Sequence, residues 1–151
     1  MTHTASAKAL TDLILTVFRL NSELLSAGDR FTKDLKLTSA RWQIFGQIGR
    51  NNEPRTASQI ARNMGLHRQT VQPLVDALAA DGLLEFFDNP NHRRAKLIRM
   101  TTSGKKAYAE ALRRQVEWSN RAARGISAKS LTEASGVLRA LIERLQAEAE
   151  S

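Results

Sequence analysis

The fold of this chain is decided by residues 56–84, which read TASQIARNMGLHRQTVQPLVDALAADGLL. Thr56 and Gln59 stand in the S/T-x-x-E/Q relation of a capping box, which predicts the start of a helix. Gly65 follows the first apolar stripe and suits the left-handed conformation that ends helices. A second stripe of helical spacing follows, and Asp81-Gly82 closes it. Two short amphipathic helices joined by a glycine turn predict a helix-turn-helix.

The second of these helices carries an unusual polar face. Its apolar stripe turns Gln69, Gln72 and Pro73 outward, with Thr70 at the flank. Glutamine can bond two edges of adenine in the major groove of DNA, and a threonine methyl can touch the methyl of thymine. Arg68, at the helix start, can reach guanine or a phosphate. We therefore predict that Gln69, Thr70 and Gln72 read bases with help from Arg68. The alternative is a solvated face of a structural helix pair.

Pro73 leaves the start of this helix open. A proline inside a helix removes one backbone hydrogen bond and costs roughly 3 kcal/mol. A helix that begins near His67 would bear that cost, whereas a helix capped by Thr70 would hold Pro73 in its first turn. We expect a helix that is locally kinked or starts late.

A basic hairpin is predicted directly after the helix-turn-helix. Strand-like runs at 83–87 and 95–100 flank a polar turn, and Arg93, Arg94 and Lys96 crowd at its end. A helix-turn-helix followed by a basic hairpin is the winged form of the motif. Arginines on such a ribbon can enter the minor groove, so we predict groove or phosphate contact. The alternative is that the charges protect an exposed strand edge from pairing.

The remaining segments read as helices. The spacing of apolar residues predicts a first helix over about 8–28, ending at Gly28, and a second between Thr38 and Gly49. Thr101 or Thr102 caps a later helix that Gly125 ends, and the last helix begins at Ser127 or at a Ser130/Glu133 capping box. The fold class is therefore mainly α with a small β-hairpin wing. Residues 1–151 form a single winged-helix domain, in which about 38–100 bind DNA and helices about 8–28 and 102–150 form a dimerisation layer.

Charge and composition agree with a polyanionic partner. The net charge of the 151 residues is +8, and residues 54–75 and 89–109 contain no acidic residue. This distribution favours double-stranded DNA. The chain lacks cysteine, a secretory signal and any apolar run near the ~20 residues of a membrane span, so we expect no membrane association and a cytoplasmic location.

No grouping of residues in the sequence suggests catalysis. The sequence has no nucleophile elbow, phosphate loop or Ser/His/Asp set, and His3, His67 and His92 lack ligand-like spacing. We therefore predict no enzymatic activity, no metal site and no cofactor. The aromatic side chains are expected to fill the core, namely Phe18, Trp42, Phe45, Tyr108 and Trp118.

Three stretches in order resemble the MarR family of winged-helix transcription regulators, named for multiple antibiotic resistance. LTSARWQIF (37–45) resembles the start of that family's second helix, and residues 56–85 are similar to its helix-turn-helix throughout. HRRAKLIRMTTSGKKAY (92–108) looks like its wing and the opening of the next helix. The likeness covers nearly the whole chain. Two departures stand out: His92 occupies the position of a wing aspartate that orients Arg94, and His67 replaces a capping serine. Asp88 or Asn91 could substitute as the orienting group, or Arg93 could share the role.

The resemblance implies a homodimer whose first and last helices interlock and which binds a pseudo-palindromic operator, most often as a repressor. It also implies release from DNA by a small aromatic or phenolic acid, and Arg41, Trp42 and Phe45 lie on the helix that resembles the pocket wall. Two alternatives stay open. One is an architectural protein that binds DNA without sequence choice, and the other is an interaction module that docks an acidic protein.

Overall fold

The computed structural model describes residues 4–50 and 53–149. The helices are α1 (Ala5–Thr32), α2 (Ser39–Gly49), α3 (Ala57–Met64), α4 (Arg68–Ala80), α5 (Thr102–Ala122) and α6 (Ala128–Ala149). The strands are β1 (Leu84–Phe87) and β2 (Leu97–Met100), and a short 3-10 helix (Lys33–Leu35) follows α1. The chain divides into two compact units, 1–114 and 115–151, with the boundary inside α5. The predicted fold class, mainly helical with a two-stranded wing, is confirmed. The assignment of 38–100 to DNA and of the flanking helices to dimerisation stays a prediction.

The helix-turn-helix forms as its local signals predict. The Oγ of Thr56 accepts the N–H of Gln59, and the Gln59 side chain accepts the N–H of Thr56, so both halves of the capping box are present. Gly65 ends α3 at a φ of 65°, a conformation in which a Cβ would be strained. Asp81 caps α4, and Gly82 follows with a φ of 73°. Local chemistry therefore sets α3, the turn that follows it and the end of α4.

One apolar core holds α2, α3, α4 and the hairpin together. Phe45 and Ile44 of α2, Ile60 of α3 and Leu78 of α4 have no exposed surface. Trp42 and Tyr108 pack against this core with their ring centroids 5.3 Å apart. The expectation that Phe18 also fills the core is wrong, because its side chain is 68% exposed on α1.

The hairpin is a short antiparallel ribbon. Leu84 pairs with Met100 and Phe87 with Leu97, so β1 begins one residue and β2 two residues later than predicted. Arg55 adds an isolated bridge, since its N–H donates to the carbonyl of Ile98 and its carbonyl accepts the N–H of Ile98. This bridge ties the segment before α3 to the base of the wing.

The prediction that Gly28 ends the first helix is wrong. The helix continues to Thr32, and Gly28 is buried within it. An added Cβ at this position would lie 1.9 Å from Oγ of Ser39, at the start of α2. The glycine therefore allows close helix approach, which is a tertiary role that resembles a stop signal in the sequence.

The caps of the last two helices resolve the alternatives that the sequence leaves open. Oγ1 of Thr101 accepts the N–H of Gly104 at 3.0 Å and so caps α5. Oγ of Ser127 accepts the N–H of Ser130 at 3.1 Å and so caps α6, three residues before the alternative start at Ser130. Gly125 lies beyond the end of α5 at a φ of 79°.

Arg114 joins α5 to the end of α1. Its guanidinium donates to both carboxylate oxygens of Asp34, at 2.5 and 2.8 Å, to the carbonyl of Phe31 at 3.0 Å and to Glu110 at 2.7 Å. The hydrogen bonds from Arg114 lower the pKa of Asp34. Hydrogen bonds from Arg113 and then Arg114 lower the pKa of Glu110 to about 2.

Helices α1 and α6, each taken alone, leave apolar side chains uncovered. Leu15 and Phe18 on α1 are more than 60% exposed, and so is Leu145 on α6, a helix with no buried residue in its described part. Across residues 4–50 and 53–149, no helix combines the length and apolarity that crossing a membrane requires.

Candidate nucleic-acid interface

Helix α4 begins at Arg68, with His67 as its N-cap. The carbonyl of His67 accepts the N–H of Thr70 at 3.0 Å, so of the two expected alternatives, a local kink or a late start capped by Thr70, the late start is wrong. Pro73 therefore lies inside the helix and leaves the carbonyl of Gln69 without its helical N–H partner. The burial of one full face of α4, formed by Val71, Val75 and Leu78, compensates for this lost bond.

The two faces of α4 differ in their exposure to solvent. Val71, Val75 and Leu78 have no exposed surface, whereas Arg68, Gln69 and Thr70 are exposed. The side chains predicted to read bases therefore point away from the core, with one partial exception. Gln72 is half-buried.

Gln72 is held by a neighbour that the sequence analysis missed. Its Nε2 donates to Oδ1 of Asp76 at 2.9 Å, one turn further along α4. The i, i+4 spacing of a glutamine and an aspartate favours a side-chain hydrogen bond on a helix, so the sequence contained a signal for this contact. Asp76 itself is exposed.

The wing presents two kinds of cation. Arg93 and Arg94 are exposed in the turn and make no ion pair among the described residues. Lys96 instead donates to Oδ1 of Asp88 at 2.5 Å, and this hydrogen bond lowers the pKa of the Asp88 carboxyl. Asp88 thus pairs with Lys96 rather than with Arg94. The backbone N–H of Asn91 donates to Oδ1 of Asn89 at 3.0 Å, a bond that does not involve the Asn91 side chain.

A cleft of about 150 Å³ lies between α4 and the wing. Four of the seven predicted DNA-binding residues line it, and its other walls come from the start of α3 and from both strands. No acidic side chain lines it, and its predicted members are Arg68, Gln72, Arg94 and Lys96. Gln69, Thr70 and Arg93 are exposed but are not among its lining residues. The arrangement can receive a negatively charged backbone between helix and ribbon.

The three residues predicted to bind an aromatic acid are close in sequence but differ in their exposure to solvent. Phe45 is fully buried and meets Tyr108 edge-on at 6.3 Å. Arg41 donates to Asp81 at 2.8 Å and to the carbonyl of Lys36 at 2.9 Å. Trp42 is partly buried against the core. Among the described residues no group of three or more His, Cys, Asp or Glu side chains could hold a metal ion.

Comparisons with known proteins agree with this geometry. A model of the MarR family matches residues 35–95. An uncharacterized protein of Mycobacterium tuberculosis is 31% identical over 136 residues, which covers 90% of this chain and 94% of that protein.

Two solved structures share the fold. A mutant MarR from E. coli, complexed with operator DNA, is similar with a TM-score of 0.79 at 16% identity, over 88% of this chain and 95% of that chain. CouR from Rhodococcus jostii RHA1, bound to p-coumaroyl-CoA, is similar with a TM-score of 0.77 at 23% identity, over 86% of this chain and 91% of that chain.

Proposed function

The chain belongs to the MarR family of winged-helix, DNA-binding transcription regulators, and from this premise we propose that it represses transcription as a homodimer on a pseudo-palindromic operator. One observation carries the proposal. Helix α4, through Arg68 and Gln72, and the cationic wing line one cleft that contains no acidic side chain. The same helix also exposes the uncharged side chains of Gln69 and Thr70. A protein that bound DNA by charge alone would favour lysine on the helix face.

In this proposal the residues of α4 contact the major groove and those of the wing contact the minor groove. Gln69, Thr70 and Gln72 read base edges in the major groove, and Arg68 contacts guanine or a phosphate. The wing, with Arg93, Arg94 and Lys96, grips the minor groove and its phosphates. Arginine suits the minor groove because its flat fork can meet sugar, phosphate and base edge together. Affinity should fall steeply with salt, with log K against log salt sloping at about −0.9 per neutralised phosphate.

A second copy of the chain is the partner that best covers α1 and α6. Each helix exposes a series of large apolar side chains, for example Phe18 and Leu15 on α1 and Ile142 and Leu145 on α6. Burying apolar surface gains about 25 cal/mol per Å², so such surfaces favour association. A two-fold axis would set two α4 helices into successive major grooves, ~34–36 Å apart.

Release by a small aromatic acid is part of the proposal. CouR binds an aromatic acyl thioester, and in this chain Arg41 offers a guanidinium for a carboxylate. Asp81, the present partner of Arg41, directly follows α4. An acid that bound Arg41 beside Trp42, above the buried Phe45, would compete with Asp81 and loosen the end of the recognition helix. Calorimetric titration with aromatic carboxylic acids tests this, and the absence of both heat and any change in DNA affinity would contradict it.

Selection of bound sequences from a random DNA pool tests the central proposal. We expect a consensus with two-fold symmetry and half-sites one helical turn apart. The second candidate function, an architectural protein, predicts that unlabelled random DNA competes as well as the selected sequence. A protein-interaction module would show no DNA affinity at moderate salt. We also propose that this regulator works in the cytoplasm, without catalytic activity and without a cofactor.

A further inference from the structure

The contact between Gln72 and Asp76 places a carboxylate on the DNA-facing side of α4. We propose that Asp76 is a specificity-determining residue that selects a cytosine in the operator, an inference that rests on the proposed function. Oδ1 of Asp76 accepts the Nε2–H of Gln72 at 2.9 Å. Asp76 is exposed, and within the described ranges no basic side chain pairs with it. A carboxylate without a cationic partner, on a surface proposed to meet a polyanion, requires an explanation.

Asp76 shares a helix face with the predicted base readers. Positions 69, 72 and 76 are spaced by three and four residues, so they lie along one side of the helix. The observed burial agrees, since Val71 and Val75 are buried while Gln69 and Asp76 are exposed. Seven residues span about 10 Å of helix axis, which corresponds to about three base pairs at 3.4 Å each. Asp76 therefore meets a different base pair from Gln69.

The chemistry of the pair demands a hydrogen-bond donor on the DNA. An ionised carboxylate only accepts hydrogen bonds, and Gln72 has already committed one N–H to it. In the major groove the exocyclic amino groups are N4 of cytosine and N6 of adenine. Adenine also presents the acceptor N7 beside N6, which would repel a carboxylate, whereas cytosine presents its donor without a neighbouring acceptor on the same base. Cytosine is therefore the base that the carboxylate fits.

Charge makes the selection stronger by penalising other sequences. A negative side chain near phosphates weakens binding to every DNA, and a cytosine amino group offsets that penalty at one position. Specificity often depends on such a repulsive element as well as on attraction. If Asp76 had no role in DNA binding, its hydrogen bond with Gln72 would only stabilise α4 slightly, as other i, i+4 side-chain pairs do. The two roles predict different DNA selections.

The experiment compares sequences selected from a random DNA pool by the wild-type chain and by Asp76→Asn. The substitution keeps the size and one acceptor oxygen but removes the charge and adds a donor. We expect the wild-type chain to prefer cytosine at one position of each half-site by about 5- to 150-fold, the range of a single mismatch. In Asp76→Asn this preference should fall below about threefold, other positions should keep theirs, and affinity for random DNA should rise.

Two further variants make the result decisive. Asp12→Asn removes an exposed carboxylate from the polar side of α1 and should change neither selection nor random-DNA affinity. Gln72→Ala keeps the carboxylate of Asp76 but removes the hydrogen bond that orients it, so the preference for cytosine should weaken. Thermal melting followed by circular dichroism checks that each variant is folded.

The possible outcomes distinguish the role of Asp76 from the proposed function of the protein. Unchanged selection by Asp76→Asn, or a base other than cytosine at the position that responds, overturns the role of Asp76 and leaves the regulator intact. A wild-type chain that selects no sequence at all overturns the proposed function, and with it this inference.

Discussion

Gly104→Ala should destabilise the protein through a clash with backbone rather than with a side chain. Gly104 lies in the first turn of α5, where an added Cβ would come 1.9 Å from the carbonyl oxygen of Leu83, about 1.5 Å short of the ordinary contact distance of 3.4 Å. That carbonyl also accepts the N–H of Thr101 at 3.2 Å, so it cannot move without straining the start of α5. Overpacking costs about 1–3 kcal/mol, and an immovable neighbour favours the upper end.

The helix preference of alanine offsets part of this cost. Alanine is favoured over glycine by about 0.8–1 kcal/mol within a helix, which leaves a net loss of roughly 2 kcal/mol. For a chain of this size, each kcal/mol of lost stability lowers Tm by about 2–4 °C, so Tm should fall by about 4–8 °C. Because Leu83 immediately precedes β1, DNA affinity should fall too.

Gly46→Ala is the matched control. Gly46 lies in the interior of α2, and a Cβ there would meet nothing within 4 Å. The same substitution should therefore stabilise the fold by about 0.5–1 kcal/mol and raise Tm by roughly 1–4 °C. Thermal unfolding followed by circular dichroism at one fixed protein concentration measures both variants. Equal shifts in the two, or a Gly104→Ala variant as stable as the wild-type chain, would refute the close approach of α5 to Leu83.

Three other predictions concern DNA contact and pH. Gln69→Ala should weaken operator binding by ~1–3 kcal/mol and relax the choice of base at one position, as measured by titration against single-base operator variants. Arg94→Ala should weaken binding, reduce the salt slope by about one and leave major-groove preference nearly unchanged; an altered consensus would argue against minor-groove contact. The lowered pKa values of Asp34 and Glu110 imply stability that is present above their ordinary pKa near 4 and is lost as pH falls toward 2. Unfolding by urea between pH 5 and 2 should show this loss, and Arg114→Gln should flatten it; a profile unchanged by that substitution would exclude the proposed cause.

Local signals made the helix-turn-helix predictable. The capping box at Thr56 and Gln59 joins residues three apart, and the left-handed Gly65 depends on its own backbone. Apolar spacing likewise identified the buried face of α4. Each of these features depends on neighbours within one helical turn, so a single sequence contains all the information that determines it.

The features that the sequence did not reveal depend on contacts between residues farther apart than one helical turn. Gly28 looks like a helix stop, but Ser39 explains why a glycine is needed there. Phe18 looks like a core residue, but its own chain does not cover it. At the candidate site, the sequence could not show that Asp88 holds Lys96, because a hairpin must form before those two side chains meet.

The sequence by itself determined the order of elements, the start of α3 and the turn after it, the buried face of α4 and the charge that favours DNA. Tertiary structure decided where α1 ends, that α4 begins at Arg68 despite Pro73, and that the wing and α4 share one cleft. The physical reason is range. Caps, turns and apolar stripes are set by interactions within about four residues. Helix approach, burial of a proline-containing helix and the convergence of cations depend instead on packing between different helices and strands of the chain.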